Sequence, residues 1–112
     1  MCISDTHSRT RGLKYPLNDI QADILIHAGD FTMRGADDEI RAFNDYLGSL
    51  TKIKHKVVIA GNHDLTFDSR LNKHHEAAKK LLTNCIYLQD CSVNLMNIKI
   101  HGSPWQPLYG RI

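Results

Sequence analysis

The sequence is poor in the residues that staple or punctuate a chain. Its 112 residues include 3 cysteines, at Cys2, Cys85 and Cys91, with no CxxC spacing among them. An odd set without paired spacing excludes a disulfide framework and a zinc knot, and it fits a reducing compartment. With only 3 prolines and 7 glycines, neither a collagen-like repeat nor a low-complexity linker is possible. No apolar run approaches the ~18 residues that a membrane helix needs. No basic segment followed by an apolar stretch opens the chain at Met1, so no signal peptide is visible. A cytoplasmic location is the expectation. Charge of one sign is also lacking: 14 basic residues stand against 12 acidic ones. Dedicated nucleic-acid binding, which concentrates basic residues on one face, is not expected. What is present, 42% hydrophobic and 23% charged residues, suits an ordered globular chain. The length suits one small domain.

Four apolar runs read as strands: Met1–Ser4, Ala22–Ala28, Lys56–Ala60 and Asn84–Leu88. The second and third are continuous rather than alternating. That is the pattern of strands covered on both faces, as in a parallel sheet with helices on each side. Between them, Ile40, Phe43, Leu47 and Leu50 recur at helical spacing and predict a helix over Asp37–Leu50. Asp37, Asp38 and Glu39 put negative charge in its first turn, where the helix dipole favours it. A second helix is expected over Ser69–Thr83, with Ser69 as N-cap and Leu71, His75, Ala78 and Leu82 facing inward. Ser92–Met96 and Ile98–Gly102 alternate like a hairpin about Asn97. The order of elements implies a layered α/β fold with right-handed crossovers.

Ligands in open α/β sheets gather at the carboxyl ends of strands. Three strand ends here carry polar groups that packing does not explain. Asp5-Thr6-His7 follows the first strand, Gly29-Asp30 the second and Gly61-Asn62-His63-Asp64 the third. Side chains two apart on an extended segment point the same way, so Asp5 and His7 converge on one ion. A carboxylate oxygen and an imidazole nitrogen suit Mn, Fe or Zn. Asp30 has two oxygens to share between two metals. Asn62 offers an amide oxygen, and His63 is a candidate proton donor. Taken alone, each motif is weak: Asp-x-His is far more often coincidence than a site, and Gly-Asp and Gly-Asn-His-Asp read as turn chemistry.

Together and in this order, D-x-H, G-D and G-N-H-D, the motifs resemble the calcineurin-like metallophosphoesterase superfamily. The flanking segments Cys2–Ser8, Ala22–Thr32 and Ile100–Pro107 are similar to the metallophosphoesterase-domain-containing proteins of animals. The resemblance covers essentially the whole chain. It implies an α/β sandwich and a metal-dependent phosphoester hydrolase with two divalent ions (Mn, Fe, Zn or Mg). Asp5, His7 and Asp30 would bind the first ion, and Asp30 and Asn62 the second. Asp30 would bridge the two as part of the catalytic centre. Asn62 and His63 would contact substrate, with His63 stabilising or protonating the phosphate. The implied substrate is a small phosphoester, with a cyclic nucleotide as one candidate, and no membrane partner is implied.

The family pattern continues with further histidine motifs, and nothing matching them follows Asp64. His101 lies in a segment resembling a Gly-Ser/Ala-Pro-Trp motif and is not expected to be a ligand. Residues 1–112 are therefore expected to be the N-terminal part of the domain. Such a part would comprise the first sheet with its crossover helices plus a C-terminal hairpin, hold at most one ion well and leave an apolar face open. The rival reading is a non-catalytic fragment that binds a nucleotide or a protein. Outside the motifs, His27 is expected to be a packed strand residue, His55 part of a solvated basic loop, and His74-His75-Glu76 a helix face. Arg9, Arg11 and Arg34 are candidates to attract a phosphate, and Trp105 either lines a pocket or packs a loop.

Overall fold

A computed structural model of the chain describes residues 1–107. The last five residues of the expected domain lie outside the described part. Four short strands, β1 (Cys2–Ile3), β2 (Ala22–His27), β3 (Ile53–Val58) and β4 (Ile86–Tyr87), form one sheet in the order β1-β2-β3-β4. All three pairings are parallel. Strands β5 (Cys91–Leu95) and β6 (Ile98–Gly102) form a separate antiparallel hairpin. Its two-residue turn holds Met96 and Asn97 at φ 50° and 64°, the left-handed pair that matches the twist of a tight hairpin.

Helix α1 (Asp37–Ser49) connects β2 to β3 and buries Ile40, Phe43, Asn44 and Leu47 along one stripe. Glu39 sits at its third position and accepts the Ala36 N–H at 3.2 Å. Ala36 has no side-chain acceptor to return, so only half of a capping box forms. Asn44, buried within the stripe, donates to Thr83 Oγ1 at 3.0 Å and accepts the Asn84 N–H at 2.8 Å. These bonds tie the helix to the entry of β4.

The second helix is much shorter than the spacing predicts: α2 covers only His75–Lys80. The preceding residues are held in turns by their own side chains. Asp68 Oδ1 accepts the Arg70 N–H at 2.8 Å, and Asn72 Oδ1 accepts the His74 N–H at 3.0 Å. Such bonds offer the backbone an alternative to the helical ladder. Ser69 is consequently not the N-cap, and Leu71 is 66% exposed rather than facing inward. His55 also departs from expectation. It lies within β3, half-buried and opposite Ile24, rather than in a solvated loop.

Both faces of the sheet are covered, but not by helices on each side. Strands added in sequence order through crossovers of one hand place every connection on the same face. Leu25, Val58, Cys85 and Tyr87 pack on that side with Phe43, Leu47, Ala78 and Leu82. The alternate residues Ile24, Ile26, Val57, Ile59, Ile86 and Leu88 meet Val93, Leu95 and Ile100 of the hairpin. The hairpin therefore covers in part the face expected to lie open. Val57 and Leu88 are buried, whereas Ile24, Ile26, Ile59 and Ile86 remain partly exposed. No helix among the described residues is long and apolar enough to cross a membrane.

Candidate functional site

The three motifs meet at the carboxyl edge of the sheet. Beyond β1 and β2 the two loops stay zipped together by backbone bonds. Asp5 N–H donates to Gly29 O at 3.0 Å, His7 N–H to Asp30 O at 3.0 Å and Ser8 N–H to Phe31 O at 2.9 Å. The backbone there is not extended. Asp5, His7, Ser8 and Asp30 take φ values of 54°, 41°, 61° and 57°. Left-handed backbone at non-glycine residues costs on the order of 1–3 kcal/mol each and persists only where surrounding structure enforces it. Convergence of Asp5 and His7 through strand alternation is thus corrected. A left-handed turn, not a pleat, brings His7 Nε2 within 3.8 Å of Asp5 Oδ1.

The third loop enters by backbone contact. A Cβ on Gly29 would meet Gly61 N at 2.7 Å, and a Cβ on Gly61 would strike Asp30, whose backbone N is 2.5 Å from it. Only glycine at both positions lets the loops touch. Asp30, 7% exposed, then accepts the His63 N–H on Oδ1 at 2.8 Å. Asp64 locks the junction from beneath. Its carboxylate is 2% exposed. It accepts Asp30 N–H at 2.8 Å, Thr32 N–H at 2.9 Å, Thr32 Oγ1 at 2.6 Å and Gly61 N–H at 2.9 Å. Burial raises its pKa above the ordinary value, against the downward pull of the bonds from Gly61, Thr32 and Asp30.

Both imidazoles are oriented by carbonyls. His7 Nδ1 lies 3.3 Å from Thr32 O, and His63 Nδ1 lies 3.0 Å from Met33 O. A carbonyl can only accept, so each Nδ1 carries a proton, which in the neutral tautomer leaves Nε2 as the free ring nitrogen. That is the arrangement usual for metal-ligating histidines. The rings pack edge to face with centroids 4.7 Å apart. His7, Asp30 and His63 offer ligand atoms all within 4.8 Å of one another. They are the one such group of three His, Cys, Asp or Glu residues among the described residues. An open cleft of about 420 Å³ in front of them is lined by Asp5, Thr6, His7, Arg9, Met33 and His63.

His27 supports the group from below. It is fully buried, with Nε2 2.9 Å from Thr6 Oγ1, and its Nδ1 accepts the Gly29 N–H at 3.2 Å. The ring therefore carries its proton on Nε2. Desolvation lowers its pKa to about 4, against the pull of Asp5 and Asp30. A neutral His27 thus binds the first motif to the second.

These features have counterparts in known sequences. A profile of the calcineurin-like phosphoesterase family matches residues 1–111. The chain belongs to the calcineurin-like phosphoesterase family. It is 45% identical to metallophosphoesterase domain-containing protein 1 of Homo sapiens and of Mus musculus, over 97% of this chain and 38% of theirs. It is 40% identical to UPF0046 protein C25E10.12 of Caenorhabditis elegans, over 98% of this chain and 42% of that one. The chain thus spans about two fifths of the length of these curated relatives. Metal binding and hydrolase chemistry are properties of the family, and the parallel sheet with its helices and hairpin is consistent with part of its α/β fold.

Of the residues singled out in the sequence, the structure brings together His7, Asp30 and His63, the two histidines lining the cleft, with Asp5 at its rim and 64% exposed. Asn62 is exposed in the same loop as His63. Arg9 lines the cleft. Trp105 is 69% exposed and does not line the cleft; its Nε1–H donates to Asp90 Oδ2 at 2.9 Å, and the Arg70 guanidinium lies over its ring at 5.6 Å. His101 lies on the hairpin, 2.8 Å from Ser92 Oγ. The supporting roles of Asp64, His27 and Thr32 escaped sequence reasoning. Asp64 completes the G-N-H-D motif, but nothing local shows that its partners Asp30 and Thr32 lie 34 and 32 residues upstream.

Proposed function

We propose that this chain carries the metal-binding half of a metal-dependent phosphoester hydrolase site. The observation that supports it most is the group of ligand atoms from His7, His63 and the nearly buried Asp30, all within 4.8 Å of one another, with both imidazoles held by carbonyls at Nδ1. The donors fit a divalent ion of the Mn, Fe or Zn kind, since imidazole nitrogen and carboxylate oxygen suit these metals. Asp5, His7 and Asp30 would hold a first ion, and Asp30 and Asn62 a weaker second one. Bound there, a divalent ion supplies Lewis acidity, which neutralises phosphoryl charge and acidifies water. His63 lines the cleft; with a further proton on Nε2 it would hand a hydrogen bond or that proton to the phosphate, while the Met33 carbonyl keeps its ring in place. The substrate class is a small phosphoester, with a cyclic phosphodiester as one member, and the setting is cytoplasmic.

The test is Mn²⁺ binding by titration calorimetry and Mn²⁺-dependent hydrolysis of bis-p-nitrophenyl phosphate, each beside Asp30→Asn. We expect the wild-type chain to bind one Mn²⁺ weakly and Asp30→Asn to lose that binding. Hydrolysis abolished by the substitution would mean that these motifs suffice for turnover. Binding without hydrolysis would mean that turnover needs groups beyond these motifs. A variant that binds and hydrolyses like the wild type would refute the proposal.

A further inference from the structure

The two carbonyls that set the imidazoles, Thr32 O and Met33 O, belong to successive peptide units. The opposite ends of those same units, Met33 N–H and Arg34 N–H, both point at Glu39. Met33 N–H donates to Glu39 Oε2 at 2.6 Å, and Arg34 N–H to Oε1 at 3.2 Å. In a planar trans peptide the N–H and C=O point in opposite directions. Fixing the amide therefore aims the carbonyl. The same carboxylate accepts Ser8 Oγ–H at 2.5 Å, from the residue after His7, and Ala36 N–H at 3.2 Å. One side chain thus gathers donors from the loops after β1 and β2, two of the three that carry the cluster.

We infer that Glu39 is a positioning residue for the metal cluster, holding His7 and His63 in the Nδ1–H form by orienting two peptide planes. This rests on the functional reading above but is tested apart from it. Glu39 touches none of the ligand atoms and does not itself line the cleft. It acts through Met33 and Arg34.

The experiment reads imidazole tautomers by long-range ¹⁵N–¹H spectra of the metal-free chain at pH 8, then Mn²⁺ affinity by calorimetry. Three variants are compared with the wild type: Glu39→Ala, Glu39→Gln and Asp38→Ala. Asp38 shares the first helical turn, and hence the favourable dipole interaction, without reaching the loops. We expect Glu39→Ala to convert His7 and His63 to mixed tautomers and to weaken Mn²⁺ binding about tenfold, the usual scale for losing such outer support. Asp38→Ala should leave both readouts at wild-type values. Should Glu39→Ala not fold, Glu39→Gln, which keeps the volume and one acceptor, is judged by the same spectra. Unchanged tautomers in the folded Glu39 variant, or an equal change in Asp38→Ala, overturns the inference. A wild-type chain that binds no Mn²⁺ overturns the metal reading instead and leaves the tautomer comparison decisive.

Discussion

Acid should weaken this fold through His27. In the unfolded chain His27 takes up a proton as pH falls below about 6.5. In the folded chain it resists until about 4, because the ring is desolvated and Nδ1 is occupied by the Gly29 N–H. Between these values the unfolded state binds more protons, so stability falls as pH falls. The contribution is complete above pH 6.5 and is lost as pH drops through the folded value of about 4. A gap of that size amounts to about 3 kcal/mol, a large part of the roughly 5–15 kcal/mol available to a domain. The assay is urea unfolding at pH 7, 6, 5 and 4, with and without His27→Gln. The variant starts weaker, since it loses part of the links to Thr6 and Gly29, but it lacks this titration. The difference between the two proteins should shrink by about 3 kcal/mol on acidification. At a urea slope of about 2 kcal/mol per molar, that is a midpoint change of roughly 1.5 M. Parallel pH profiles for the two proteins, or an NMR titration of His27 near 6.5, would refute the reasoning.

Two further outcomes follow from contacts already described. Gly61→Ala drives a methyl group into Asp30, and calorimetry should show Mn²⁺ affinity lowered about tenfold or more; an unchanged affinity would mean that the loops are not in register. Leu47 is fully buried in the α1 stripe, so Leu47→Ala should lower unfolding free energy in urea by about 3 kcal/mol. A loss below about 1 kcal/mol would show the helix to be loosely seated.

What the sequence determined by itself is local. Helix α1 was legible almost to the residue, because its apolar stripe and acidic first turn are properties of one segment. The hairpin was legible for the same reason. The motif-bearing strand ends stood out because Asp5, His7, Asp30 and His63 are polar groups placed directly after apolar runs.

The tertiary structure decided the rest. Helix α2 lost its first half because Asp68 and Asn72 bond to their own backbone, a competition that apolar spacing does not register. The second face of the sheet is covered by a hairpin because same-handed crossovers send both helices to the other side, a consequence of strand order. The convergence of the site depends on left-handed backbone at Asp5, His7 and Asp30 and on two glycines that touch across loops 32 residues apart. Besides nearer contacts, His27, Glu39 and Asp64 each reach a partner 21 to 34 residues away: Thr6, Ser8 and Asp30. A sequence pattern records what a residue is and what its neighbours are. Which distant amide or imidazole it holds is settled only when the chain closes on itself.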